Sequence, residues 1–424
     1  MKSPTLTVAI PTRERADLLA FALRTVLRQP SPRLTILVSD NASRDGTAAL
    51  VRGVRDPRVR YINTGERLSM SHHYDFVLRH IDTDYVLYLG DDDGLLPQAT
   101  TRIQQLIEKY QSPAAITTSE AYFIWQQNAF AGNPGTVIPG ELFFPVGPHE
   151  EWRDGLEELR KFAQFEHSNP GHDLHDLPCV YWGVVRTELL HRLQKTGSFF
   201  LSKFPDVYSG VALAATCGQY VFCRQPFVLP GTSPKSTGVD LFLQPAASAA
   251  NPYANLFFAE GGIPWHPAVP PCASCDSLFK WDAFLRAQDA GLIPASITWN
   301  MAAMLRVAVA ELSAKSGPRV EADWETLKQW ARQNGLTLPP EPPPQAPRDP
   351  VPPVRYFWPW QMLQGRCPSS VQTIDDAVLF VQRFLRWEFF RRVGEYFLRL
   401  AGRFQRLRSR LRARFSTSPA GTAA

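Results

Sequence analysis

The sequence predicts an α/β fold in which a mostly parallel sheet is followed by a helical C-terminal region. Over the first 120 residues, short apolar runs alternate with segments whose apolar residues recur at helical spacing. Strand–helix alternation of this kind is typical of a parallel sheet with helices on both faces. From residue 277 onward the spacing is helical, and nine prolines follow within residues 339–353. A segment so rich in proline is extended and semi-rigid, which predicts a linker.

Five apolar runs in the N-terminal part have the length and composition of buried strands. They are Leu6–Ile10, Leu34–Val38, Val59–Ile62, Tyr85–Leu89 and Ala114–Thr118. Helices are predicted between these runs, and further helices are predicted at Val207–Ala215, Ser277–Ala290, Ile297–Ala314 and Ala322–Asn334. Gly335 ends the last of them, in the position where a helix C-terminal glycine is expected.

Composition is that of an ordinary globular protein. Of the 424 residues, 44% are hydrophobic and 20% are charged, so the chain can bury a substantial core and is not globally disordered. No apolar run approaches the roughly 18 residues that a membrane-spanning helix needs. No secretory signal is visible, and the six cysteines are therefore expected to be reduced thiols.

Positive charge is concentrated in the C-terminal tail. Residues 383–414 contain 11 Arg and 2 Glu, a net charge of +9, whereas the whole chain carries +5. An apolar stripe runs through this tail at spacings of three and four residues: Phe390, Val393, Phe397, Leu400, Phe404, Leu407 and Leu411. Its phenylalanines and almost wholly positive surroundings favour a helix that lies in a membrane interface over a coiled-coil seam. An RNA-binding or disordered tail is the alternative.

Polar residues follow three of the predicted strands. Pro11 and Thr12 follow the first strand, Asp40 the second, and Asp91–Asp93 the fourth. Open parallel sheets bind ligands beyond the carboxyl ends of their strands. Three adjacent carboxylates repel one another unless solvent or a divalent cation offsets their charge, and oxygen ligands suit Mg²⁺ or Mn²⁺. A plain acidic turn is the alternative, but the position after a buried strand, one strand away from Asp40, favours a metal site.

Other nucleotide-binding signatures are absent from the sequence. It contains no Gly-x-Gly, which excludes a dinucleotide-binding fingerprint, and no Gly-Lys pair, which excludes a P-loop.

Three segments in order carry a more specific pattern: Val8–Leu19, Val38–Gly46 and Asp84–Pro97. Together they resemble the nucleotide-sugar half of family-2 glycosyltransferases of the GT-A fold. A fainter resemblance continues through Phe204–Tyr208 and Gly231–Ser233, to about residue 240. The resemblance implies a Rossmann-like GT-A domain that transfers a sugar with inversion from a nucleotide diphosphate donor, assisted by a metal ion.

The resemblance also implies roles for single residues. The implied nucleotide-sugar-binding residues are Pro11, Thr12, Asp40, Arg67 and Asp91. Asp92 and Asp93 are the implied ligands of Mn²⁺ or Mg²⁺. Members that write this motif as Asp-x-Asp-Asp have an aspartate where this chain has Gly90. For Arg67 a solvated surface arginine is an equally good interpretation.

Inverting transfer needs a base to take the proton from the acceptor hydroxyl. Asp206 is our candidate, because it follows Pro205 and opens a predicted helix, as the acidic residue does in the acceptor half of these enzymes. A helix-capping aspartate is the alternative interpretation. Glu188 and Asp176 are rival candidates for the base. No role is assigned to a histidine cluster or to a lone cysteine pair, whose members are His167, His172, His175, Cys272 and Cys275.

These patterns predict several regions. They are a glycosyltransferase domain at 1–240 with halves 1–120 and 121–240, a mainly helical region at 241–338, a linker at 339–353, a basic amphipathic tail at 354–416 and a disordered end at 417–424.

The expected protein is a cytoplasmic enzyme of polysaccharide biosynthesis. Its basic tail would bind the anionic inner face of the membrane and hold the enzyme there peripherally. Its partners would be a nucleotide-diphosphate sugar and a glycan or lipid-linked acceptor, with no nucleic acid. One alternative is a catalytically degenerate relative that acts as a membrane-bound assembly partner. Another is a sugar-nucleotide nucleotidyltransferase, which would need a glycine-rich basic loop where this chain has Pro11–Glu14.

Overall fold

The computed structural model describes residues 3–119, 121–125, 141–145, 150–166, 176–194, 197–236, 262–342, 355–356 and 362–383. The chain divides into two compact units, Met1–Val378 and Leu379–Ala424. Within the described residues, no helix has both the length and the apolar character that crossing a membrane requires. The described ranges do not include the apolar stripe of the basic tail, the cluster of three histidines or most of the proline-rich linker.

The first 120 residues alternate strands and helices, as the sequence predicts. Strands β1 to β7 are Leu6–Thr12, Leu34–Asp40, Val59–Asn63, Tyr85–Tyr88, Gly94–Leu95, Ala115–Thr118 and Tyr122–Ile124. Strands β8 to β15 are Glu141–Pro145, Glu150–Asp154, Val184–Arg186, Gln219–Cys223, Val228–Leu229, Gly231–Thr232, Arg355–Tyr356 and Met362–Arg366. Helices α1 to α7 are Ala16–Leu27, Thr47–Arg52, Met70–Leu78, Ala99–Lys109, Gly155–Gln164, Thr187–Leu193 and Pro205–Thr216. Helices α8 to α10 are Asp276–Asp289, Met301–Ser313 and Pro318–Gln333.

An eight-stranded sheet forms the centre of the first unit, in the order β3-β2-β1-β4-β10-β6-β11-β9. Six of its strands run in the same direction, whereas β10 and β9 are antiparallel to their neighbours. The predicted α/β class with a mostly parallel sheet is confirmed. Because β1 lies between β2 and β4 and is parallel to both, the residues that follow these three strands meet at one edge of the sheet.

Successive side chains of the central strands point to opposite faces of the sheet, and apolar residues pack on both faces. In β1, Val8 and Ile10 pack in one buried cluster with Leu19 and Leu23 of α1. Ala9 packs in the other cluster, which also receives α3, α5, α7 and α8. Since both faces are covered, β1, β2 and β4 are continuous apolar runs, as expected of a parallel sheet between helix layers.

The C-terminal part of the first unit is helical, and it then returns to the sheet. Helix α8 packs against α7, and α9 and α10 complete a separate buried cluster. After the proline-rich segment, β15 pairs with β8, and residues 374–378 are helical. Side chains of Ile374 and Val378 lie against Gly94, and Asp375 forms an ion pair with Arg28 of the first helix. The returning segment therefore packs directly beside the acidic motif.

Candidate functional site

The strand-end residues meet as the sequence predicts. Thr12 and Asp40 are partners in the parallel pairing of β1 and β2, and Asp91–Asp93 follow the adjacent strand β4. Thr12 Oγ1 donates a hydrogen bond to Asp91 Oδ2 at 2.7 Å. We refer to Asp91, Asp92 and Asp93 as the acidic motif. All three are at most 5% exposed, so each carboxylate needs compensating partners.

Asp91 is compensated by an arginine. Arg15 Nη1 lies 3.0 Å from Asp91 Oδ1, and Arg15 Nη2 donates to the carbonyl oxygen of Lys235. Burial raises the pKa of Asp91, while the guanidinium of Arg15 opposes that rise. The pairing opposes protonation of Asp91 and anchors the chain around Lys235 beside it.

Residues 231–236, the serine loop, cover the other two carboxylates. Ser233 Oγ donates to Asp92 Oδ2 at 2.7 Å, and Ser236 Oγ donates to the same oxygen. The backbone N–H of Gly231 donates to Asp93 Oδ1 at 2.7 Å. A Cβ atom at Gly231 would collide with the carbonyl oxygen of Asp92, so this close approach requires glycine.

Asp93 is fully engaged by N–H donors. Its Oδ2 accepts from the indole Nε1 of Trp182 at 2.6 Å and from the backbone of Gly90 at 2.9 Å, while Oδ1 accepts from Gly231. Burial and the neighbouring Asp92 raise the pKa of Asp93 to about 7, and the three donors oppose that rise. Trp182 therefore holds the acidic motif with its polar edge, a role that the sequence does not reveal.

Asp40 lies in a hydrogen-bonded environment of its own. It is fully buried; Oδ1 accepts from the backbone of Ser43 at 2.9 Å, and Oδ2 accepts from Tyr61 Oη at 2.7 Å and Asn63 Nδ2 at 3.2 Å. These contacts fix the loop after β2 and the end of β3. A nucleotide could therefore contact Asp40 most directly through Oδ1, which accepts from Ser43 alone among the described donors.

Arg67 lies beside this loop. Its Nη2 pairs with Glu14 Oε1 at 2.5 Å, and the Arg67 side chain is 33% exposed. The same Glu14 oxygen accepts from the backbone of Arg44. Arg67, on the loop between β3 and α3, therefore lies against the loops that follow β1 and β2, and its contact with a nucleotide stays a prediction.

Asp206 lies at the start of α7, after Pro205 at the first helical position. Its side chain is partly exposed, and the oxygen Oδ1 is buried with no partner among the described residues. Burial raises the pKa of Asp206 to about 6, opposed by the backbone N–H groups of the helix start. A carboxylate with this pKa and an unsatisfied oxygen suits a general base near neutral pH better than a satisfied helix cap.

A short segment, Cys179–Trp182, connects Asp206 with the acidic motif. Cys179 Sγ donates to the carbonyl oxygen of Asp206 at 3.3 Å. The backbone of Val180 and Trp182 bonds to Tyr88, the last residue of β4. Asp206 and the acidic motif therefore lie at the same edge of the sheet.

The two rivals of Asp206 lie elsewhere. Glu188 lies just after β10, a strand that is antiparallel to β4. Arg186, the last residue of β10, pairs with Tyr85, the first residue of β4. Glu188 is consequently at the opposite edge of the sheet from the acidic motif. Asp176 forms an ion pair with Arg153 at 2.7 Å on the outer strand β9. Neither position suits a base for the same site.

The cysteine pair has a structural environment. Cys272 Sγ donates to the carbonyl oxygen of Asp323, Cys275 Sγ lies 3.9 Å from that of Ala308, and burial raises the pKa of both thiols above their ordinary range. Both side chains are fully buried in the cluster formed with α9 and α10.

The donor set of the acidic motif suits a metal ion bound through one carboxylate. Among the described residues, no group of three His, Cys, Asp or Glu side chains is arranged to hold an ion. Both oxygens of Asp91 and of Asp93 accept hydrogen bonds, whereas the described donors to Asp92 reach Oδ2 and leave Oδ1 available. Mg²⁺ and Mn²⁺ commonly take one or two carboxylates and complete their coordination with water and substrate phosphates. This observation favours Asp92 over Asp93 as the ligand.

Residues 7–136 match the family model described as Glycosyl transferase family 2. The match covers the first strands and helices of the sheet and agrees with the resemblance found in the sequence. The matched segment contains Thr12, Asp40 and the acidic motif, while Asp206 and the serine loop lie beyond it. The family that the sequence resembles is thereby confirmed.

Known proteins resemble the chain over different lengths. A GalNAc(5)-diNAcBac-PP-undecaprenol beta-1,3-glucosyltransferase of Campylobacter jejuni is 31% identical over 105 residues, which are 24% of this chain and 34% of that protein. The chain therefore spans about a third of the length of this curated relative.

Two solved structures show a more distant likeness. The mannosyltransferase PcManGT of Pyrobaculum calidifontis, in complex with GDP-Man and Mn²⁺, is 19% identical at a TM-score of 0.34, covering 78% of this chain and 81% of its own. Staphylococcus aureus TarS in complex with UDP-GlcNAc is 12% identical at a TM-score of 0.39, covering 78% and 92%.

Proposed function

We propose that the protein transfers a sugar from a nucleotide diphosphate donor to a hydroxyl group of a glycan or lipid-linked acceptor. The observation that carries the proposal is the placement of two carboxylates with different surroundings at one edge of the sheet. Asp92 keeps one oxygen available beside the strand ends, and Asp206 presents a partly exposed carboxylate with an unsatisfied oxygen. One suits the donor diphosphate and the other suits the acceptor hydroxyl.

In the proposed reaction, Asp206 accepts the proton of the acceptor hydroxyl as its oxygen attacks the anomeric carbon. The bond between that carbon and the diphosphate oxygen breaks, and the electron pair leaves with the nucleotide diphosphate. A single displacement of this kind inverts the anomeric configuration. The raised pKa of Asp206 matches its task, because a base near neutral pH is both ionised and able to hold the proton.

Asp92 would hold Mn²⁺ or Mg²⁺ through its available oxygen, and that ion would neutralise charge on the leaving diphosphate. Asp91 and Asp93 would act mainly by keeping the motif in place, since their oxygens are used within the protein. Arg15 offsets part of the negative charge of the acidic motif, which a bound diphosphate would otherwise meet.

Support for a lipid-linked acceptor comes from a relative and from the tail. The curated relative is named for an acceptor carried on PP-undecaprenol. The C-terminal stripe of this chain, which lies outside the described residues, combines phenylalanine and leucine with arginine, the composition of interfacial helices. We propose that this tail holds the enzyme on an anionic membrane surface, on the cytoplasmic side.

A second candidate is a catalytically degenerate relative. It is favoured by the absence of a metal-binding cluster of three residues among the described side chains and by the engaged oxygens of Asp40, Asp91 and Asp93. Such a protein could bind a nucleotide sugar or a membrane partner without turnover.

A donor screen separates the two candidates. Purified full-length protein would be incubated with UDP-, GDP- and dTDP-sugars in the presence of Mn²⁺, and release of the nucleotide diphosphate would be measured. The enzyme hypothesis predicts release from at least one donor, abolished by excess chelator. A degenerate relative would bind a nucleotide without releasing the sugar from any donor.

A further inference from the structure

Gly90 precedes the acidic motif and has no room for a side chain. A Cβ atom built there would overlap the hydroxyl oxygen of Tyr181 and lie 2.6 Å from Asp93 Oδ2. The space beside the motif is therefore taken up by a tyrosine hydroxyl that arrives from a distant part of the chain. The hydroxyl and the Asp93 carboxylate are therefore close neighbours, both next to the position that a Cβ of residue 90 would occupy.

Tyr181 also belongs to the segment that leads to Asp206. Its backbone N–H donates to Cys179 Sγ at 3.3 Å, and the same sulfur donates to the carbonyl oxygen of Asp206 at 3.3 Å. Its backbone forms a bridge with Tyr88 at the end of β4. The ring is fixed against Trp182 at a centroid distance of 4.6 Å. Tyr181 is thus held by its backbone and by its ring between the two functional regions.

The hydroxyl of Tyr181 is available as a hydrogen-bond donor. The side chain is partly exposed, and no described residue hydrogen-bonds to its hydroxyl. Burial, with Asp93, Asp92 and Asp206 nearby, raises the pKa of Tyr181 well above its ordinary value, so the phenol stays protonated.

In a single displacement the anomeric carbon lies between the leaving diphosphate and the attacking acceptor oxygen. If the proposed function is correct, the diphosphate lies at Asp92 and the acceptor oxygen lies at Asp206. The sugar must then occupy the space between these two residues. The Tyr181 hydroxyl lies at Gly90, directly before the acidic motif, and Asp92 and Asp206 are both among the charges near it. We propose that the Tyr181 hydroxyl, which fills the space beside Gly90, hydrogen-bonds a hydroxyl group of the transferred sugar and makes Tyr181 a specificity-determining residue.

The proposal rests on the proposed function, and a substrate–mutant cycle tests the two separately. The full-length wild type and Tyr181→Phe are compared on the UDP-, GDP- or dTDP-sugar that gives the fastest turnover and on its monodeoxy analogues. Binding of the corresponding nucleotide diphosphate with Mn²⁺ is measured alongside. Tyr110→Phe, which removes a hydroxyl bonded to Glu150 on the outer part of the sheet, is the matched control.

The expected result has three parts. Tyr181→Phe binds the bare nucleotide diphosphate as tightly as the wild type, and its kcat/KM for the sugar nucleotide falls about three- to tenfold, the effect of one lost hydrogen bond. For one monodeoxy analogue, the wild type and Tyr181→Phe become equal. Tyr110→Phe matches the wild type throughout.

Two results overturn the proposal while leaving the proposed function intact. The first is a kcat/KM of Tyr181→Phe that equals that of the wild type on every sugar nucleotide. The second is a kcat/KM that Tyr181→Phe lowers by the same factor on the parent donor and on all of its monodeoxy analogues, because an equal loss indicates a structural role. A wild type that binds a nucleotide diphosphate but turns over no donor contradicts the proposed function instead, and this proposal with it.

A second pair of variants checks the geometry. Gly90→Ala places a methyl group against the hydroxyl and should lower the melting temperature and the turnover. Adding Tyr181→Phe removes the overlapping oxygen, so the double variant should recover part of the lost melting temperature. If Gly90→Ala and the double variant are equally stable, the hydroxyl does not occupy this space and the proposal fails.

Discussion

Thr12 Oγ1 donates a hydrogen bond to Asp91 Oδ2 at 2.7 Å and so joins the ends of β1 and β4. The two residues are 79 positions apart in the chain, and both are almost fully buried. Arg15 approaches the other oxygen of Asp91 from the start of α1. The floor of the candidate site is therefore built from strand ends and a helix start, which are rigid parts of the fold.

We expect Asp206→Asn to retain binding of the donor and to lose turnover. A positioned base contributes on the order of 10²- to 10⁴-fold, and asparagine preserves the size of the side chain without accepting the proton. The measurement is kcat and KM for the donor, with Asp176→Asn as a control for a carboxylate at the other edge of the sheet. A fully active Asp206→Asn contradicts the assignment.

The pH dependence of kcat/KM should report the same carboxylate. The pKa of Asp206 is raised to about 6, and the base is the ionised form, so kcat/KM should rise with pH through about 6 and then level off. Asp206→Asn should lack this acidic limb. An unchanged limb in the variant would assign the ionisation to another group.

The raised pKa of Asp206 also determines how its contribution to folding stability changes with pH. Folded Asp206 retains its proton at a pH where the unfolded side chain has lost it, so its contribution to stability is present at low pH and is lost as pH rises through about 6. At pH 8, Asp206→Asn should therefore melt no lower than the wild type. A helix cap would behave differently, since losing it costs about 1 kcal/mol.

We expect Gly231→Ala to separate the serine loop from the acidic motif. The added methyl group would collide with the carbonyl oxygen of Asp92, and overpacking of this kind costs about 1–3 kcal/mol. The matched control is Gly46→Ala, where the nearest atom to a new Cβ is 3.9 Å away. Thermal unfolding and donor turnover are measured for both. Equal behaviour of the two variants would contradict the contact between loop and motif.

The tail should carry the membrane affinity. Each basic residue near an anionic surface contributes on the order of 1 kcal/mol to the free energy of membrane binding. A fraction of the net charge of +9 on residues 383–414 would therefore be enough to hold the protein on the membrane. We expect the full chain to float with anionic liposomes at low salt, and a chain ending at Arg383 to remain unbound. This end point keeps Ile374, Asp375 and Val378, whose side chains pack in the first unit.

A double variant separates the apolar stripe from the charge of the tail. Phe397→Asp with Phe404→Asp should weaken flotation while leaving all the arginines in place. If the full chain fails to float, or the shortened chain floats equally well, the tail is not the anchor.

Much of the sheet edge can be predicted from sequence because it depends on local patterns. Apolar runs fix the strands, and in a parallel arrangement the residues that follow them must meet at one edge. Thr12, Asp40 and the acidic motif could therefore be found from their positions after β1, β2 and β4. Asp206 could be found because Pro205 marks the start of a helix.

The rest of the site depends on contacts between distant parts of the chain. Arg15, Tyr181 and the serine loop carry no local signal, and their roles follow from how α1, the segment after residue 178 and β13 meet the motif. The engagement of Asp40 by Tyr61 likewise depends on the pairing of β2 with β3. The antiparallel strand β10 comes from residues 184–186, far from its neighbours in sequence, which is why a short apolar run did not reveal it.

Asp92 carries the central claim, because its available oxygen is the proposed link between protein, metal ion and donor. The most direct measurement compares wild type, Asp92→Asn and Glu325→Gln, an exposed carboxylate on α10, for Mn²⁺-dependent binding and turnover of the sugar nucleotide found in the donor screen. The account predicts that the wild type and Glu325→Gln bind and turn over the donor only when Mn²⁺ or Mg²⁺ is present. Asp92→Asn should be folded, bind the nucleotide diphosphate weakly and release no sugar. Full turnover by Asp92→Asn, or by the wild type in excess chelator, would contradict it.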